Sequence, residues 1–194
     1  MSNEHSIILN FFLNLPAFLI ALVAHEYAHG YVAFKLGDNT AKYMGRLTFN
    51  PLAHIDLFGT ILLPLFLLIS KAPFVVGWAK PVPVNFYNLR DPKKDMIWVG
   101  IAGPIANFIT AFAVYLLFKS AIIQNTIVTA FLLNVFIINI VLGTFNLIPI
   151  PPLDGSRILM GILPEKWAKW YTQITPFQGM IILILLLSIL RRIL

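Results

Sequence analysis

The chain has 194 residues, 59% of them hydrophobic and 11% charged, with a net charge of +6 and no cysteine. Soluble domains are usually about half apolar and about a quarter charged, so this composition indicates a multi-pass membrane protein and excludes disulfides and thiolate metal sites. The basic excess reads first as a marker of the cytoplasmic face, since nucleic-acid binding needs a basic solvated domain and none is present.

The length suits one domain over residues 1–194, with no linker, internal repeat or low-complexity tract. Glu4 and His5 stand where a signal peptide would carry basic residues, and no small-residue cleavage site follows. The first helix is therefore expected to stay in the mature protein. That helix is predicted over Ile7–Leu36, apolar through Ala24, then carrying His25-Glu-Tyr-Ala-His29, and stopped at Gly37-Asp38. Thr40 to Pro51 turns polar, with room for a short strand or two. Leu57–Ser70 is apolar but holds Gly59 and Pro64; as a helix it reaches about 21 Å, short of a hydrocarbon core of about 30 Å.

Phe74–Asn85 alternates β-branched residues with prolines, the pattern of an edge strand or hairpin. Arg90–Asp95 is polar and interfacial. Met96–Phe118 is a spanning helix with a small-residue face at Gly100, Ala102, Gly103 and Ala106. Thr126–Ile148 is the next span, broken by Pro149-Ile-Pro-Pro. Pro164–Tyr171, with Trp167, Trp170, Lys166 and Lys169, has an interfacial signature. Phe177–Leu190 is a last apolar segment of marginal length. The fold class expected is an all-α polytopic membrane protein, with about five to six membrane segments and a small membrane-associated β element.

Two histidines four apart on a helix face one side and can grip one cation. Glu26 lies beside them without needing to bind, placed to take a proton from an activated water and pass it to a leaving amine. Ionisable groups that continue an apolar helix are costly at membrane depth and usually functional. A catalytic zinc wants a third protein ligand. The third histidine of an extended HExxH motif would fall where Lys35 stands, so the candidates are Asp38, His54, Asp56, Asp91, Asp95, Asp154 and Glu165. Asp154 is the best of these: it follows a full span and a proline-broken turn, on irregular backbone tolerated at depth only where it is buried or lines a cavity. Its competing reading is a simple turn or helix cap. His54 and Asp56 are the main rivals, His54 as a residue near the metal or, more simply, as a cap or interfacial group.

His25-Glu-Tyr-Ala-His-Gly30, Ala102-Gly-Pro-Ile-Ala-Asn107 and Asn146-Leu-Ile-Pro-Ile-Pro-Pro-Leu-Asp-Gly155 together resemble the site-2 protease family of intramembrane zinc metalloproteases. The resemblance runs from the first helix to about Leu159. It implies Zn2+ held by His25, His29 and Asp154, with Glu26 as catalytic base. It further implies that Asn146 holds the substrate backbone or scissile carbonyl, that Asn107 has a similar or structural role, and that the Gly77–Asn85 strand pairs with an unwound substrate. PDZ and CBS domains of larger members have no counterpart here. The zinc ligands must meet at one depth, which requires Leu57–Ser70 to return to the side it left. Lys35, Lys42, Arg46, Lys80, Arg90, Lys93 and Lys94 then share the cytoplasmic side.

The expected activity is hydrolysis of peptide bonds in or near transmembrane segments of membrane proteins, in a prokaryotic cell membrane, with the active site toward the cytoplasm. The partners expected are a transmembrane substrate and the bilayer, and no nucleic acid. The alternatives are a membrane metal transporter using the same ligands and a non-catalytic membrane binding protein.

Overall fold

The computed structural model describes residues 2–70, 77–120 and 122–193. Helix α1 spans Ser2–Lys35. Ala17, Ala21, His25, His29 and Ala33 are all buried, and their four-residue spacing makes one stripe along the helix. Gly37, with φ of 116°, ends the helix, and the Asp38 N–H closes it by donating to Ala33 O at 2.9 Å. Where the polar run after Thr40 was expected to form strands, a single helical turn stands instead: α2, Thr40–Tyr43. Asp38 explains it, since its carboxylate accepts the Thr40 N–H and hydroxyl and starts the turn.

The apolar segment begins with a wide π-helical turn, Leu57–Leu62, capped by Asp56, and continues as α3, Leu63–Ile69, with Pro64 in its first turn. Beyond it, the chain is back beside that segment's start. The Trp78 N–H donates to Gly59 O at 3.1 Å, and the Lys80 N–H to His54 O at 3.0 Å. It then reaches the end of α1, where Arg90 N–H meets Leu36 O at 3.2 Å. Trp78 and Lys80 thus lie beside Gly59 and His54, where the apolar segment begins.

Helices α4 (Pro92–Lys119) and α5 (Thr126–Asn146) follow. Both start on Asx caps: Asp91 accepts from Lys94 N–H, and Asn125 from Ile127 and Val128 N–H. The buried residues Val99, Gly103, Asn107 and Ala111 of α4, and Val135, Asn139 and Gly143 of α5, repeat the four-residue stripe of α1. Three stripes of mostly small residues let the helix backbones approach closely, and Ala17, Val114 and Val135 form one buried cluster between them. The outer faces are apolar too: Ile105, Ile109, Phe112 and Leu116 of α4 are exposed, as are Leu133, Ile137 and Val141 of α5. The chain closes with α6 (Asp154–Ile162), α7 (Glu165–Tyr171), on which Trp167 and Trp170 are exposed, and α8 (Pro176–Ile193).

Against the five to six segments expected, three helices among the described residues are long and apolar enough to cross a membrane: Asn14–Lys35, Pro92–Lys119 and Thr126–Asn146. Leu57–Ile69 and Pro176–Leu186 are shorter apolar helices. The expected β element is not formed among the described residues, and its first part, 74–76, lies outside them. Residues 77–85 are extended, but their donors go elsewhere than to a partner strand. Trp78 and Lys80 bond helix-side carbonyls, Val82 bonds the Glu26 carboxylate and Asn85 bonds Asp38. Pro81 and Pro83 have no N–H to offer.

Candidate active site

His25 and His29 project from one turn of α1 into the seam with α4, and Asp154 enters from the first turn of α6. His25 Nε2, His29 Nε2 and Asp154 Oδ2 are mutually 3.0 Å apart. Among the described residues this is the group of three that brings ligand atoms together, and all three are buried.

The other nitrogen of each ring decides what the cluster can hold. His29 Nδ1 is 2.6 Å from Val99 O, a carbonyl that can only accept, so Nδ1 carries the proton and Nε2 the lone pair. His25 Nδ1 is 2.6 Å from Asn107 Oδ1 and is protonated for the same reason. Two lone pairs and a carboxylate oxygen therefore converge. Three acceptors at 3.0 Å repel one another unless positive charge lies among them. Zinc bonds of about 2.0–2.1 Å in a tetrahedron imply ligand separations of about 3.3–3.4 Å, so the cluster fits that ion after an expansion of a few tenths of an ångström. The His₂-carboxylate set, each imidazole backed by an oxygen acceptor, is that of catalytic zinc sites.

Two further features complete the surroundings, Arg157 from outside the sequence motifs and Gly103 from within one of them. Arg157, one turn along α6, donates to Asp154 Oδ1 at 3.1 Å. It thereby engages the oxygen that does not face the histidines. Gly103 packs its bare Cα against the cluster: a Cβ there would lie 2.4 Å from His29 Nε2 and 2.6 Å from His25 Nε2. The small-residue face read from α4 as a packing surface is at this point the floor of the site.

Glu26, half-buried, accepts the Val82 N–H on Oε2 at 2.7 Å. Asn107 is fully buried, with its amide taken up by His25, Ala21 O and Asn139. Asn146, half-buried, donates to Leu142 O of its own helix at 3.0 Å and makes no bond to the cluster.

The remaining ligand candidates stay apart from the cluster, each in local structural work. Asp38 is fully buried and ties Thr40, Asn85 and Asn88 together. His54 bonds Thr48 O through Nε2 at 2.9 Å, Asp56 and Asp91 are caps, and Asp95 accepts the Asp91 N–H. Glu165 sits in the first turn of α7.

Comparison with known proteins gives a family for the chain. The model of peptidase family M50 matches residues 14–125 and 117–187. Two relatives carry the name "Putative zinc metalloprotease". One, YwhC of Bacillus subtilis (strain 168), is 39% identical over 178 residues, covering 88% of this chain and 78% of that protein. The other, Rip2 of Mycolicibacterium smegmatis, is 26% identical over 181 residues, covering 92% and 68%. Zinc metalloprotease MJ0392 of Methanocaldococcus jannaschii is 28% identical over 148 residues, 76% of this chain but 33% of its own length. No solved structure matches the chain. Family model, relatives and cluster converge on one assignment: the chain belongs to peptidase family M50, the site-2 protease family.

Proposed function

We propose that this chain is an intramembrane zinc metalloprotease that hydrolyses peptide bonds in or near transmembrane segments of other membrane proteins, with its site toward the cytoplasmic side. The observation that carries this reading is the convergence of His25 Nε2, His29 Nε2 and Asp154 Oδ2 at 3.0 Å, buried where apolar helices meet. The zinc metalloprotease names of its relatives support it.

His25, His29 and Asp154 hold the ion, and Arg157 and Val99 O orient two of those ligands. Zinc, when bound, supplies Lewis acidity toward the scissile carbonyl and the attacking water. Glu26 moves the protons: Oε2 is held by the Val82 N–H, and Oε1 takes a proton from water and returns it to the leaving amine. Asn146 carries a second amide hydrogen, besides the one given to Leu142 O, that suits a substrate carbonyl. Asn107, enclosed against His25, serves the ligand. A substrate helix hides its carbonyls in hydrogen bonds and must unwind locally; the extended 77–85 segment is the surface suited to receive the unwound chain.

The test is Glu26→Gln in cells and in purified protein. The expected result is retention of zinc, a loss of cleavage of about 100-fold or more, and accumulation of uncut membrane stubs in the membrane proteome. Full cleavage by the variant would reject the mechanism.

A further inference from the structure

Asn139 is a polar residue in the middle of the apolar helix α5, fully buried and outside every motif read from the sequence. An amide in such a place is costly unless its hydrogen bonds are made, and polar groups at membrane depth usually serve function. Its bonds form a directed chain that ends at the metal site. Val135 O can only accept, so the group 2.8 Å from it is Asn139 Nδ2, and Asn139 Oδ1 points the other way. Asn107 Nδ2 meets that oxygen at 2.9 Å and Ala21 O, also at 2.9 Å, so both amide hydrogens of Asn107 are used. Asn107 Oδ1 is thereby turned to His25 Nδ1 at 2.6 Å. The ring proton must sit on Nδ1, and Nε2 is left bare.

We propose that Asn139 is a positioning residue for the metal site, fixing the tautomer of His25 through Asn107. The proposal rests on reading His25, His29 and Asp154 as a zinc site. Without Asn139, the Asn107 amide is held in its orientation by Ala21 O alone. Its flipped form would present Nδ2 to the imidazole, and Nδ1 would then have to accept. That shifts the ring proton to Nε2, the atom that must be bare to bind a cation. Asn139 also ties α5 to the α1–α4 seam at the level of the ligand, so the third long helix takes part in the site without contributing a ligand.

The experiment uses the full chain in detergent and measures zinc affinity by competition with a chromophoric chelator. Asn139→Leu keeps the bulk and removes the acceptor; affinity should fall roughly tenfold, the low end of what loss of an outer partner costs. Asn139→Thr retains a hydroxyl for Val135 O but cannot reach Asn107, and should lose as much; it serves if the leucine variant does not fold. Asn107→Ala should lose at least as much, and adding Asn139→Leu to it should change zinc affinity no further, because the effect passes through Asn107. Additive losses would show a packing role and overturn the proposal. With 15N-labelled histidine, the zinc-free wild type should show His25 protonated at Nδ1, and Asn139→Leu should show the Nε2–H form as well. A wild-type His25 protonated at Nε2 overturns the proposal whatever the variants do. Unchanged zinc affinity in both Asn139 variants overturns it while leaving the zinc site standing. A wild type that binds no zinc overturns the zinc site itself and this proposal with it.

Discussion

Replacing Gly103 by alanine should abolish the metal site while sparing the fold. The new Cβ would stand 2.4 Å from His29 Nε2 and 2.6 Å from His25 Cε1 and Nε2, where ordinary contact begins at 3.4 Å. His29 must therefore retreat by 1.0 Å, the difference between 3.4 and 2.4 Å, and His25 by 0.8 Å, the difference between 3.4 and 2.6 Å. Neither can do so freely: His29 is held by Val99 O at 2.6 Å and His25 by Asn107 at 2.6 Å. A misplacement of about 1 Å in a reacting constellation costs roughly 100-fold in rate. The stability change is much smaller. Overpacking costs about 1–3 kcal/mol, and alanine regains about 1 kcal/mol of helix propensity over glycine, so the net loss is about 0–2 kcal/mol. Zinc content, cleavage of a transmembrane substrate and thermal unfolding of the zinc-free protein should be measured on one preparation. The expected outcome is a folded chain with little zinc and cleavage near background. Stoichiometric zinc with wild-type turnover would refute the placement of Gly103 against the two imidazoles.

Three further outcomes are expected. Val82→Pro removes the N–H that holds Glu26 Oε2 at 2.7 Å; cleavage should drop between about tenfold and about 100-fold, in line with the about 1.5–3 kcal/mol of a hydrogen bond to a charged group, with zinc content unchanged, and equal loss of zinc would show a wider disruption instead. For Asp38, burial alone would raise the carboxyl, but hydrogen bonds from Thr40, Asn88 and Asn85 outweigh it and lower its pKa. Its stabilisation is therefore present above the unfolded value of about 3.9 and fades as pH falls toward the folded one. Thermal scans from pH 6 downward should show wild type losing stability faster than Asp38→Asn below about pH 4, and parallel curves would contradict this. Impermeant labelling of cysteines placed at Lys42 and Lys93 should find them on one side of the membrane, as the common depth of the ligands requires; opposite sides would break the site model.

What could be read from the sequence were the elements whose cause is local. Apolar length marks α1, α4 and α5, Gly37 stops the first helix, and the four-residue spacing of His25 and His29 makes a ligand pair. The ring of surrounding support was not legible, because it depends on pairs far apart in the chain. Asn139 reads as one polar residue in a span until Asn107, 32 positions earlier, is seen against it. Val82 acts through its backbone N–H, which every residue but proline carries. The extended 77–85 segment shows a mixed case: its alternating prolines announce extended backbone, but nothing in them says that the donors will find Glu26 and Asp38 rather than a strand. Asp38, Asp56, Asp91 and Asp154 look alike as carboxylates near helix ends. The structure separates them by what their oxygens meet, backbone N–H groups for the first three and imidazoles for Asp154.

The distance along the chain between the ligands has a consequence for biogenesis. His25 and His29 belong to the first helix, while Asp154 arrives 125 residues after His29. Until α6 has been synthesised, inserted and seated against α4, the two histidines face a neighbour that cannot complete the coordination shell. Assembly of the long helices thus precedes tight metal loading, and a half-made chain carries only part of the cluster. Because the ion binds the finished arrangement far better than any earlier one, its arrival also locks the last helices to the first.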